Sequence, residues 1–264
     1  MKKLWKSGLF LIVLMVILVV SACGQDKAKE KDSGKGREQK EFYYAMSGLY
    51  KPFNFKEDGK LLGFDVEIGE ALAKKMGMKP VAVTNPWETL IQGLQAKKYD
   101  AIIGSMTITE ERLKSVNFTD PYYRSGAQVF VAENNQDISG PADLKGKKIG
   151  VVKASTYKEL ALKYTEKKKI VEYDSDITAL MDLPTGRLDA VITDQMVGLP
   201  IIKEGAIKIK DVGETMTQDD QGIAVRKEDQ ELLDKLNKAL AEIIKDGTYE
   251  DISKKWFGRN ILGE

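Results

Sequence analysis

From Glu41 onward, short apolar runs of strand type alternate with stretches whose apolar residues recur every three or four positions. Glu41–Met46 opens this part as a strand. Gly48 and Pro52 mark the next segment as a loop, and Asn54–Leu62 reads as a hairpin turning at Asp58-Gly59. In Phe64–Met76 the residues Phe64, Ile68, Leu72 and Met76 share one helix face, which Ala71 widens. Asp65 suits the first turn of that helix and Gly77 ends it. Val81–Val83 is a strand, Trp87–Gln95 a helix with Trp87, Leu90, Ile91 and Leu94 on one side, and Ala101–Ile103 a short apolar strand running out into Gly104. This alternation predicts a sheet with helices packed on its faces.

The pattern then begins again. Gln128–Ala132, Lys148–Val152, Ile170–Tyr173 and Leu188–Thr193 read as strands, with helices starting near Thr156 and at Asp176, the second disrupted by Pro184. A second α/β lobe follows from that repetition, and 264 residues are enough for two ordinary domains. Gly222–Val225 is a late strand. Asp229–Lys245 is an amphipathic helix carrying Leu232, Leu233, Leu236, Leu240, Ile243 and Ile244, and a short last helix carries Trp256 and Phe257.

The N-terminus breaks the pattern. Lys2, Lys3 and Lys6 precede an unbroken apolar run, Leu9–Val20, which is short of the roughly 20 residues a membrane span needs but suits the core of a signal peptide. Val20-Ser-Ala-Cys23 resembles a bacterial lipobox, with Val20 where Leu is more usual. That resemblance implies cleavage before Cys23 and lipidation of its thiol; an ordinary signal peptide cut after Ala22 is the other reading. Cys23 is the chain's only cysteine, and it falls at the expected cut. Residues 24–40 are dense in charge, with Ala28 as the sole apolar residue, and read as a disordered tether reaching on the order of 20–25 Å.

Composition narrows the chemistry. A formal net charge of +1 argues against nucleic acid as a main partner. The chain has no histidine, so the commonest general base and metal ligand is missing, and one cysteine cannot form an internal disulfide or a cysteine-based zinc cluster. No Gly-rich phosphate loop is present, so no ATP site, cofactor or metal is expected.

The most informative stretch is Tyr99–Tyr123. Ser105, Thr107 and Thr109 follow the Ala101 strand in alternation, a charged turn delivers Arg112, and Tyr122 and Tyr123 close the segment. Arginine offers a planar fork that matches two carboxylate oxygens, and hydroxyls and backbone N–H groups can complete the shell. Ligands of α/β folds sit at the carboxyl ends of strands. Ser105/Thr107, Lys153/Thr156, Asp194 and the loop around Tyr50 all fall there. Asp194 supplies a negative charge to match Arg112, as a zwitterion requires. Each residue also has an ordinary structural role open to it: Arg112 paired with Glu110 or Glu111, Asp194 as a helix N-cap, and Tyr50, Trp87 and Tyr122 as core aromatics.

Taken together, the chain resembles the substrate-binding proteins of polar amino-acid ABC importers over residues 42–258. The matching stretches include Tyr50-Lys-Pro-Phe-Asn-Phe55, Gly63-Phe-Asp-Val-Glu67, Tyr99–Thr109 with Arg112, Phe118-Thr-Asp-Pro-Tyr-Tyr123, Asp143-Leu-Lys-Gly146, Gly186-Arg-Leu-Asp-Ala190 with Asp194, and Lys255-Trp-Phe-Gly258. The resemblance implies an α/β, two-lobe periplasmic-binding-protein fold of type II, with two crossing segments near Gln128–Ala132 and Gly222–Val225. Lobe one would comprise 41–128 plus 222–264 and lobe two 129–221, after a signal peptide at 1–22 and a lipidated tether at 23–40.

The same resemblance implies Arg112 on the ligand carboxylate with Thr107 and the N–H of Thr156, Asp194 and the Ser105 carbonyl on the ammonium, and Tyr50 and Trp87 walling the side chain. Relatives for cationic or amide side chains often carry Asp where this chain has Ser47. Lys153 matches a lysine that touches the side-chain oxygen in glutamine binders. The implied ligand is a neutral or acidic L-amino acid, with sulfur-containing and modified ones included in the class. Implied partners are a permease and, through it, an ATPase, with the binding protein itself a monomer anchored by lipid on the extracytoplasmic face. A dehydratase-like enzyme on the same fold and a sensory lipoprotein are the alternatives.

Overall fold

A computed structural model describes residues 40–263. The signal-peptide, lipidation and tether expectations for residues 1–39 lie outside the described residues. The fold starts with β1 (Glu41–Met46), followed by β2 (Leu49–Tyr50), β3 (Asn54–Glu57) and β4 (Lys60–Leu62), which form a small antiparallel sheet of their own. Then come α1 (Phe64–Lys75), β5 (Lys79–Thr84), a 3-10 turn at Trp87–Thr89, α2 (Leu90–Gln95), β6 (Ala101–Thr107), α3 (Glu110–Leu113), β7 (Asn117–Phe118) and β8 (Tyr123–Ser125).

The second half contributes β9 (Ala127–Ala132), β10 (Ile149–Val152), α4 (Thr156–Ala161), β11 (Ile170–Tyr173), α5 (Asp176–Asp182), β12 (Ala190–Asp194), α6 (Gln195–Glu204) and β13 (Ile209–Val212). The chain ends with β14 (Asp219–Val225), α7 (Gln230–Lys245) and α8 (Thr248–Phe257).

Two larger sheets organise these elements. The first has the order β5-β1-β6-β14-β7, with β8 also on β14; the second has the order β11-β10-β12-β9-β13. In each, a strand at the fork of the topology, β1 or β10, is flanked on both sides by parallel neighbours. Crossovers leave such a strand in opposite directions and open a crevice at its carboxyl end. On the first sheet, α1 and α7 bury Phe64, Ile68, Leu72, Leu236, Leu240 and Ile243, and α8 buries Tyr249, in one large core, while α2 covers the other face with Leu90 and Leu94. On the second, α4 buries Tyr157, Leu160 and Ala161 against Ile149, Val151 and Ile192.

The chain changes sheet at Gly126, between β8 and β9, and returns between β13 and β14. Here the crossing segments touch. Met216 N donates to the Ala127 carbonyl at 2.7 Å, and Ala127 N donates to Thr217 Oγ1 at 2.9 Å. A Cβ at Gly126 would lie 2.0 Å from the Thr217 carbonyl oxygen, so only glycine fits. Both crossings fall a few residues before Gln128–Ala132 and Gly222–Val225, where the sequence suggested them. Those apolar runs are instead interior strands, buried along nearly their whole length.

Other differences follow local chemistry. Trp87 sits in a 3-10 turn and not on α2, because Pro86 precedes it and α2 begins only at Leu90. The strand expected over Ala101–Ile103 continues to Thr107, where it pairs with Gln221 of β14. Helix α6 was marked in the sequence only by Asp194 as an N-cap, and its extent was not read, since Gly198 and Pro200 interrupt its pattern.

Candidate ligand-binding cleft

The carboxyl ends of β1, β6, β10 and β11 converge on a cleft of about 540 Å³ between the two sheets. From the first side come Ser47, Leu49, Tyr50, Trp87, Gly104, Ser105, Thr107 and Arg112. From the second come Val152, Ser155, Thr156, Tyr157, Asp174 and Asp176.

Ser105 is held in an unusual place. The register of β6 against β14 shifts between Met106–Gly222 and Ile102–Ala224, so β6 bulges there, and Ser105 adopts φ +58. A non-glycine residue in that region needs its surroundings to fix it. Ser105 N donates to the Tyr122 hydroxyl at 2.8 Å, and Ser105 Oγ donates to Asp65 Oδ2 at 3.0 Å. Tyr122 in turn donates to Asp65 Oδ1 at 2.6 Å. Asn54 links Asp65 to the loop after β1: its Nδ2 donates to Asp65 at 2.6 Å, and its Oδ1 accepts from Ser47 Oγ at 3.0 Å and Gly48 N at 2.8 Å. One fully buried carboxylate thus sets both loops of the first wall. Burial pushes Asp65 up to about 6, against the pull of its three donors.

Arg112 lies in the short helix α3, whose N-cap Thr109 accepts from Arg112 N. Its guanidinium donates from Nη1 to the Thr107 carbonyl at 2.8 Å and lies 5.4 Å from the centre of the Trp87 ring. No carboxylate pairs with it among the described residues; Glu111 pairs instead with Lys114 at 2.5 Å. Burial lowers the Arg112 guanidinium to about 10, with Tyr157 and Asp219 pulling it back. A half-buried cation over an aromatic face, with donors left over and no acid in contact, is suited to an incoming carboxylate.

On the second wall Thr156 is the first residue of α4, preceded by Ser155, which donates from Oγ to the Val152 carbonyl at 2.7 Å. The N–H groups of a helix's first turn have no partner within the helix. Asp176 and Tyr157 are buried side chains of this wall. Asp176 accepts from Thr193 Oγ1, and burial pushes its carboxyl up to about 6. Burial pushes the hydroxyls of Tyr50 and Tyr157 well above the usual tyrosine range.

Of the residues singled out in the sequence, Tyr50, Trp87, Ser105, Thr107, Arg112 and Thr156 come together in this cleft. Asp194 does not line it. It caps α6, with Oδ1 accepting from Met196 N at 2.8 Å and from Ser125 Oγ, while Oδ2 is buried with no partner among the described residues. Burial pushes this carboxyl up to about 7. It sits one layer back, close enough for its charge to act on Tyr50 and Tyr157. Lys153 does not line the cleft either; its Nζ bonds Asp174 Oδ1 at 2.5 Å. The sequence reading passed over Asp65, Asn54, Tyr157, Asp174 and Asp176. Asp174 and Asp176 had a usable signal, since they follow strand β11 as the other candidates follow theirs.

Two α/β halves, joined by two touching crossings and lining one polar cleft with an unpaired cation, define a two-lobed binding protein for a small ligand. The family model for bacterial extracellular solute-binding proteins, family 3, matches residues 43–259. The L-cystine-binding protein TcyJ of Escherichia coli (strain K12) is 35% identical over 251 residues, 94% of each chain. The L-arginine-binding protein of Pseudomonas aeruginosa is 39% identical over 233 residues, 83% of this chain and 88% of that one. Among solved structures, an ancestral arginine-binding protein bound to glutamine is 43% identical, with a TM-score of 0.78 over 83% of this chain and 98% of its own. The chain belongs to family 3 of the bacterial extracellular solute-binding proteins. Like these relatives it is a binding protein and not an enzyme, and its place is outside the cytoplasm.

Proposed function

We propose that this protein captures an L-amino acid outside the cell membrane and delivers it to the permease of an ABC importer, whose ATPase drives release. The observation that carries this reading is Arg112, half-buried at the cleft with free donors and no acid in contact among the described residues. Arg112 grips the α-carboxylate with Thr107 and the N–H of Thr156. The ammonium goes to the Ser105 carbonyl and, from the cleft floor, toward Asp194 one layer behind the lining, whose buried Oδ2 has no partner among the described residues. Tyr50 and Trp87 wall the side chain. One zwitterion then touches both lobes, so binding favours closure.

The substrate class is neutral or acidic, sulfur-containing and modified side chains included. Ser47 in place of an acid supports this, whereas Lys153 supports an acidic side chain less once Asp174 neutralises it. A thermal-shift panel of amino acids tests the reading. A ligand at a hundred times its dissociation constant adds about 2.7 kcal/mol, or roughly 5–10 °C for a chain of this size. Arginine or lysine as the strongest hit would refute the substrate class, and no shift from any amino acid after refolding from denaturant would refute the function.

The working form is a monomer held by lipid on Cys23 after loss of residues 1–22. The basic start, the apolar run and the lone cysteine support this. Palmitate labelling that persists in Cys23→Ser would refute the anchor.

A further inference from the structure

A separate hollow of about 550 Å³ lies where the C-terminal segment meets the crossings, and it shares no lining residue with the cleft. Two guanidiniums line it, Arg124 from β8 and Arg259 from the segment after α8, and no acid does so among the described residues. Gln195 of α6, Gln218 of the returning crossing and Asn260 add three primary amides. Met196 and Ile261, both buried, give the wall an apolar patch.

The backbone is pinned so as to hold both arginines there. Gly258 ends α8 in the left-handed region, at φ +71. Ser253 Oγ then donates to the Arg259 carbonyl at 2.7 Å and accepts from Ile261 N at 3.0 Å. Arg124 N donates to the Ile261 carbonyl at 3.0 Å, its Nη1 donates to the Leu262 carbonyl at 2.6 Å, and its Nε pairs with Asp220 at 2.9 Å. Gly263 packs so closely on this side chain that a Cβ would lie 2.8 Å from Arg124 Cδ. Arg124 is thus locked in place, with Nη2 left over among the described residues. The guanidinium of Arg259 has one hydrogen-bond partner among them, Met196 Sδ at 3.6 Å, and a thioether is a weak acceptor for a cation.

We infer that this hollow binds a tetrahedral oxyanion of the phosphate or sulfate kind. Arg124 Nη2 and the fork of Arg259 supply charge-assisted donors, and the amides of Gln195, Gln218 and Asn260 supply neutral ones. Donors carried on separate segments suit an ion with four oxygens set in a tetrahedron, whereas a planar carboxylate offers two. Asp220 offsets the charge of Arg124, but no acid among the described residues pairs with Arg259, so the hollow keeps a positive charge. Ser125 also lines it, but gives the ion nothing, because its hydroxyl is spent on Asp194. The bound ion joins the C-terminal segment to α6, across the two halves of the fold. It uses none of the residues assigned to the amino acid.

The test is isothermal titration of the full chain with phosphate, sulfate and acetate, in a zwitterionic buffer with chloride holding the ionic strength constant. Phosphate and sulfate are expected to bind saturably, one per chain, and acetate more weakly. Arg259→Gln should weaken phosphate by on the order of tenfold or more, the worth of one charge-assisted hydrogen bond. Gln218→Ala, at an exposed side chain, should weaken it by on the order of threefold, and gives a second reading if Arg259→Gln does not fold. Lys168→Gln removes a like charge from outside the hollow and should change nothing. Equal binding in the parent and in Arg259→Gln or Gln218→Ala, or equal losses in Arg259→Gln and Lys168→Gln, would mean an adventitious ion only and overturn the site. Acetate bound as tightly as phosphate overturns the tetrahedral assignment, and no saturable binding of phosphate or sulfate overturns the inference outright. None of these results bears on Arg112 and the amino acid.

Discussion

Arg112 and Asp194 carry opposite charges and live in opposite circumstances. Arg112 has donors to spare at the cleft, whereas Asp194 is fully buried and already caps a helix. Arg112→Ala should weaken amino-acid binding by about 3 kcal/mol or more, because it leaves a carboxylate buried without its ion. Titration calorimetry giving an unchanged dissociation constant would remove Arg112 from the site. Asp194→Asn should lose less, since the amide oxygen still accepts.

Asp194 also makes the protein sensitive to pH. Its carboxyl is raised in the folded chain from near 3.8 to about 7, with Asp176 and Asp219 adding to the effect of burial. The unfolded chain ionises first, so the stability tied to this group is complete below about 3.8 and lost as pH rises through about 7. Asp176 and Asp65, each raised to about 6, act in the same direction. Unliganded protein should therefore need more urea to unfold near pH 4 than near pH 7, and Asp194→Asn should flatten the profile. An ammonium seated on Asp194 favours its ionised form. Binding near pH 6.5 should then release a proton, seen as a heat that changes with the ionisation enthalpy of the buffer. No such dependence would place the ammonium elsewhere.

At the scale of elements, the bulge in β6 matters most. Its Ser105 depends on Tyr122 and Asp65, neither of which touches the cleft. Tyr122→Phe strips a donor from a buried carboxylate and an acceptor from Ser105 N. It should cost about 1–3 kcal/mol of stability, read from the urea midpoint, and weaken ligand binding by loosening Ser105. A variant as stable and as tight as the parent would make the network incidental.

The order of strands and helices was legible because periodicity reports which side of an element is buried. Bulges and bound donors were not, because they depend on a partner far along the chain. Asp65 read as an ordinary first-turn acid of α1, and only the arrival of Asn54, Ser105 and Tyr122 gives it another role. The body of helix α6 beyond its cap was missed for a related reason. Gly198 reads as a breaker in isolation, but a Cβ there would lie 2.1 Å from Phe130 Cζ, so the residue is a notch for a ring supplied by β9. Asp194 shows that two readings of one residue can coexist: the helix cap is in place, and one oxygen remains free.

At the scale of the molecule, the lobes meet through Gly126 and Thr217. Gly126→Ala should force the crossing segments apart, lower stability by about 1–3 kcal/mol, and weaken binding of every amino acid in proportion, since closure and not any one contact is disturbed. Loss for some ligands and not others would assign Gly126 to the pocket and not to the hinge.

The place of β14 has a consequence of another kind. Residues 219–225 enter the middle of the first sheet, between β6 and β7, whereas every strand of the second sheet lies within 127–212. A chain emerging from its N-terminus therefore makes most of its first lobe early and cannot finish it until late. β6 waits with an open edge while the later lobe can already close on itself. The half that is synthesised first is therefore the half whose sheet is completed last, by residues near the other end of the chain.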